Sequence, residues 1–144
     1  MIKLKSLLEV VKLNSIKEVE ALKKELADAA QREYDDWVQD AEGNHTEYGT
    51  GGICHLIAEK LTDVLYNHGI QRVQTVSSTN EQHVYVVGQF REGIYLIDVP
   101  YSYYEISGGY NWKKIPDVKF DESYIQIERL DINPRKLKQY VDAY

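Results

Sequence analysis

Gly49-Thr50-Gly51-Gly52-Ile53-Cys54-His55-Leu56-Ile57-Ala58 is the stretch on which the reading of this chain turns. Three glycines lead into an apolar series at Ile53, Ile57, Leu61, Val64 and Leu65, which has helical spacing. The spacing predicts a helix from about Ile53 to Asn67, with Gly69 as its C-terminal stop. Cys54, the only cysteine of the chain, falls at the start of that helix. A helix start presents free backbone N–H groups and a partial positive charge, so a thiol there is biased toward the thiolate. Cys54 is therefore a candidate nucleophile, to be weighed against the commoner case of a cysteine that is a small buried hydrophobe.

Working upstream, residues 40–52 hold Gly43, Asn44, Gly49, Gly51 and Gly52 and read as a loop. Before it, Ser15-Ile16-Lys17-Glu18 has the form of a capping box. Ile16, Val19, Leu22, Leu26, Ala30, Tyr34 and Trp37 then predict one long amphipathic helix to about residue 39. Lys17, Glu20, Lys24, Glu25 and Asp28 form its solvated face. Residues 2–13 read as a short helix.

Downstream, the period changes from helical to alternating. Arg72–Ser78, His83–Phe90, Ile94–Val99 and Ser123–Leu130 read as strands. Arg91-Glu92-Gly93 is a hairpin signal between the second and third. Residues 101–117 are irregular, and Asn133-Pro134 opens a last short helix to about Ala143. Helices followed by segregated strands predict an α+β fold in which N-terminal helices, the central one headed by Cys54, pack on an antiparallel sheet. No repeat or linker divides the chain, so residues 1–144 are expected to form a single domain.

Composition excludes several classes of function. A hydrophobic content of 43% predicts a folded core rather than disorder. The net charge of −6, with no basic block, argues against nucleic acid and anionic membrane as partners. The charged N-terminal residues Lys3, Lys5, Glu9 and Lys12 argue against a signal peptide, and no run reaches the roughly 18 apolar residues of a membrane span. One cysteine forms no internal disulfide, and a cytoplasmic protein is expected.

A cysteine nucleophile needs a base, and the base an orienting group. His55 adjoins Cys54 and points about 100° away on a helix, and His68 lies about 20 Å along it. His45 in the loop is within reach, as is His83 at the head of a strand. Asp98 follows His83 at a hairpin's distance, where a cross-strand pair can form. That pairing is a question of register. If Arg91 and Glu92 are the two turn residues, Phe90 pairs with Gly93, and Asp98 lies opposite Tyr85 on the same face as His83. If Phe90 opposes Ile94, Asp98 points to the other face.

The series Gly51-Gly52-Ile53-Cys54, His83-Val84-Tyr85-Val86-Val87 and Tyr95-Leu96-Ile97-Asp98-Val99-Pro100 resembles the papain-like and transglutaminase-like cysteine enzyme superfamily. The resemblance covers residues 49–100. It implies a papain-like core in which Cys54 is the nucleophile, His83 the base and Asp98 the orienting acid. It further implies a cysteine peptidase or amidase that cleaves a peptide or other amide through a thioester acyl-enzyme, with no metal and no cofactor. The glutamine that papain-like peptidases often place a few residues before the cysteine is absent here. The backbone N–H of Cys54 can supply one oxyanion donor, and Asn44, Gln39 and Gln82 are candidates for the second.

Tyr101, Tyr103, Tyr104, Tyr110 and Trp112 follow Asp98 and are candidates for an aromatic cleft wall, although tyrosines at β-rich positions usually serve packing. Three other readings compete. An acyltransferase of transglutaminase type would use the same three residues. A noncatalytic binding module would use the acidic helix 15–39 and the loop 101–112, alone or as a component of a larger assembly. A zinc site from His45, Cys54, His55 and His83 lacks the paired ligand spacing usual for structural zinc.

Overall fold

The computed structural model describes residues 13–44, 53–78, 83–99 and 119–132, with the side chains of 38–44 and 78 left aside. These residues form three helices and a four-stranded antiparallel sheet, an α+β arrangement as expected. The helices are α1 (Ile16–Glu20), α2 (Lys23–Asn44) and α3 (Ile53–Asn67). The strands are β1 (Val73–Ser78), β2 (His83–Phe90), β3 (Gly93–Asp98) and β4 (Gln126–Leu130), in the spatial order β1-β2-β3-β4. The expected helices at 2–13, apart from Leu13, and at 133–143 lie outside the described residues, as does all of 101–117.

Ser15 caps α1 in the expected way. Its side chain accepts from the Lys17 N–H while Glu18 accepts from the Ser15 N–H at 2.7 Å. The single long helix is corrected to two. After Glu20 the Leu22 N–H bonds the Val19 carbonyl, three residues back, and the turn tightens before α2 begins at Lys23. No glycine or proline marks this break, which is why periodicity alone ran through it. The loop expected from residue 40 is corrected as well: α2 continues through Gly43 to Asn44. Helical propensity summed over a turn outweighs one glycine, which costs about 1 kcal/mol.

Leu26, Ala27, Ala30, Tyr34 and Trp37 bury the inner face of α2. They meet Ile53, Ile57, Ala58, Leu61 and Leu65 of α3 in the main core. Val73, Val86, Phe90, Ile97 and Val99 close that core from the sheet side. α3 ends in a Schellman motif, with the Ile70 N–H on the Leu65 carbonyl and the Gly69 N–H on that of Tyr66. Gly69 takes φ +79°, the left-handed region that suits glycine at that place. Phe120 lies edge-on to Tyr34, with ring centroids 5.5 Å apart, and its N–H donates to Gln31 Oε1 at 2.6 Å, so the approach to β4 is docked on α2.

The other face of the sheet carries a smaller cluster of Val76, Val87 and Ile94, joined by Tyr85, Leu130 and Ile132. Alternation along the strands sends the two sets of side chains to opposite faces. The start of the expected fourth strand is corrected: Glu122–Tyr124 is a 3₁₀ turn headed by Asp121, and pairing begins at Gln126. Among the described residues no helix is long and apolar enough to cross a membrane.

Candidate active site

The hairpin register decides the site. Phe90 pairs with Gly93, so Arg91 and Glu92 are the two turn residues, and the ladder runs back to Val86 opposite Ile97. Extending that register sets Asp98 opposite Tyr85, on the side of the sheet to which alternation also assigns His83. His83 is the first residue of β2 and Asp98 the last of β3, so both stand at one end of the sheet. His83 Nε2 and Asp98 Oδ2 are 2.7 Å apart. Both side chains are buried, at 8% and 7% exposure, so the bond is shielded from water.

Cys54, in the first turn of α3, reaches the same place. Its thiol lies close enough to the His83 side chain and to the backbone N–H groups of Val84 and His55 for each to lower its pKa. The two backbone donors have distinct origins. The His55 N–H is one of those that a helix start leaves without an intrahelical acceptor. Val84 lies beyond Val86↔Ile97, where the β2–β3 pairing ends. The cysteine is thus held at the corner where the helix start meets the end of the sheet.

The electrostatics follow from these contacts. Burial raises the Cys54 pKa, but the His83 hydrogen bond, the Val84 and His55 N–H groups and the nearby imidazolium outweigh it, and the net shift is downward. Burial likewise disfavours a charged His83. Hydrogen bonds to Asp98 and Cys54, together with their negative charges, overcome it and push the imidazole up to about 9. Opposite shifts in a neighbouring pair bias its proton toward the ring.

The remaining expected residues fall as follows. The His55 side chain turns to Glu59, with Nε2 and Oε1 2.9 Å apart, and His68 pairs with Glu25 at 2.6 Å across α2 and α3. Neither interaction involves Cys54. Gln39 and Asn44 belong to α2, and their side chains lie outside the described residues. Gln82, His45, Tyr101, Tyr103, Tyr104, Tyr110 and Trp112 also lie outside them. Among the described residues no group of three or more His, Cys, Asp and Glu side chains is arranged to hold a metal.

Two neighbours of these residues were not anticipated. The Val84 N–H is a backbone group and has no signature in sequence. Tyr85 lies with its ring centroid 6.1 Å from that of His83 and an interplanar angle of 30°. Its position two residues after His83 on an alternating strand was the signal available for it. No family model matches the chain, and comparisons with curated proteins and with solved structures give no significant match.

Proposed function

We propose that this chain is a cysteine-dependent hydrolase of the peptidase or amidase type, built on a papain-like core within a single domain. The observation that carries the reading is the buried, hydrogen-bonded His83–Asp98 pair with the Cys54 thiol beside the imidazole at the N-terminus of α3. In this reading the Cys54 thiolate attacks the carbonyl carbon of a peptide or other amide and forms a tetrahedral oxyanion. The Cys54 N–H at the helix start is one donor for that oxyanion. Asp98 takes Nε2 of His83, which leaves the buried Nδ1 as the nitrogen that exchanges a proton with sulfur and substrate. The imidazolium protonates the leaving amine as the C–N bond breaks, leaving a thioester on Cys54. Water, deprotonated by the now neutral His83, attacks the thioester, releases the acid and restores the thiol. A cytoplasmic setting suits a catalytic thiol, which stays reduced there.

Iodoacetamide labelling tests the reading directly. Cys54 should react at pH 6 at least about tenfold faster than a free thiol whose pKa is near 8.5. Turnover of an activated ester or amide should pass through an acyl-enzyme that hydroxylamine traps, and Cys54→Ala should abolish it while leaving circular dichroism and melting unchanged. Slow labelling with the pH dependence of an ordinary thiol would overturn the assignment.

A further inference from the structure

We infer that Tyr85 is a positioning residue for His83: its ring packs beside the imidazole and favours the charged form of that ring. The inference rests on the hydrolase reading above, because His83 matters there as an imidazolium. It starts from the strand. Tyr85 follows His83 by two positions on β2, so both side chains belong to one face. The β2–β3 register, extended by one pair, sets Tyr85 directly opposite Asp98. Tyr85 therefore neighbours both members of the buried pair, one along its strand and one across.

The contact has the geometry that such a role needs. The rings are tilted by 30° with centroids 6.1 Å apart, within the range over which aromatic pairs interact. A cation about 6 Å from an aromatic centroid is stabilised, and most strongly where water is excluded. His83 and Asp98 are buried there. Tyr85 is itself held in place, since it packs against Val76, Val87 and Ile94 in the outer cluster. A neutral imidazole gains little from the π face and an imidazolium gains more, so the ring biases the proton toward His83.

Among the described residues the titratable groups against His83 are Cys54 from α3, Asp98 from β3 and Tyr85 from its own strand. The β1 residue in register with His83 is Ser78, and the β4 residue in register with Asp98 is Gln126. Neither titrates. The contribution of Tyr85 is therefore separable from that of the two ionised partners.

The experiment follows two quantities in the full chain: the acid limb of Cys54 alkylation by iodoacetamide, and the His83 imidazole titration by NMR. Replacing Tyr85 by phenylalanine keeps the ring and should leave both near wild type. Pentafluorophenylalanine at the same position keeps shape and packing but reverses the charge on the ring face. It should move the alkylation limb up, and the imidazole titration down, by about half a pH unit each. Tyr85→Leu should shift both in the same directions. Because the two ring variants are nearly isosteric, the comparison does not depend on whether Tyr85→Leu folds. Coincident curves for phenylalanine and pentafluorophenylalanine would overturn the role assigned to Tyr85. An ordinary thiol profile in the wild-type chain would overturn the hydrolase reading and this inference together.

Discussion

At the scale of single residues, the site depends on which of two neighbours holds the His83 proton. Asp98 provides both a hydrogen bond to Nε2 and a negative charge. Asp98→Asn keeps an acceptor at that place and removes the charge. An opposite charge within hydrogen-bonding distance shifts a pKa by about 1–3 units. The His83 titration should therefore fall from about 9 by at least about one unit in Asp98→Asn, read by imidazole NMR. A ring that still titrates near its wild-type value would mean that Cys54 and the surroundings, not Asp98, hold the proton. His55 and His68 make the contrast. Each imidazole pairs with a glutamate in the open, at 39% and 42% exposure.

At the scale of elements, the β2–β3 turn does more than set a register. Its Glu92 reaches the start of α1, where Ser15 Oγ donates to Oε2 at 2.5 Å and the Ile16 N–H donates to Oε1 at 2.9 Å. The Arg91 N–H donates to the Asn14 carbonyl at 3.0 Å beside them. A carboxylate is favoured at a helix N-terminus, and these donors hold the Glu92 pKa below its ordinary value of 4.5. The sign is that of a depressed acid: the stabilisation is present above pH 4.5 and is lost as pH falls through the lower folded value. Wild type should melt above Glu92→Gln at neutral pH, and the two melting temperatures should converge once the pH falls below the depressed folded pKa of Glu92. A gap that stays constant with pH would show that the charge of Glu92 contributes nothing. Glycine at position 88 has an element-level reason too. A Cβ there would lie 2.6 Å from Val73 Cγ1 and 2.7 Å from the Phe90 ring, so the bare backbone lets Phe90 lie across its own strand.

At the scale of the molecule, stability comes from α3, which packs on the sheet on one side and on α2 on the other. Leu61 is fully buried at the centre of α3, and Leu61→Ala should cost about 2–5 kcal/mol in denaturant unfolding. Glu25→Ala, which removes the exposed partner of His68, should cost no more than about 1 kcal/mol. Equal losses would mean that the helix layer is held by its surface pairs, against the burial pattern. The same layer explains how the site is assembled. α3 lies across β1 and β2, so its first turn comes to the end of the sheet at which β2 begins and β3 ends.

Periodicity is a local property, so the amphipathic faces, the capping box at Ser15, the stop at Gly69 and the sheet strands could all be read from residues near one another in the chain. The break at Ala21–Leu22 and the run of α2 through Gly43 could not, because no breaker residue coincides with the first and none of the glycine's cost was sufficient to end the second. For the site, sequence supplied the residue types and a choice between two registers that differ by a single position. The sequence by itself thus determined the α+β order of the described elements, their apolar faces and the candidates Cys54, His83 and Asp98. Tertiary structure alone decided that Phe90 meets Gly93, that sulfur, ring and carboxylate share one buried corner, and that Val84 N–H and Tyr85 lie beside it. Those outcomes depend on how elements distant in the chain come to lie together, which no local pattern encodes.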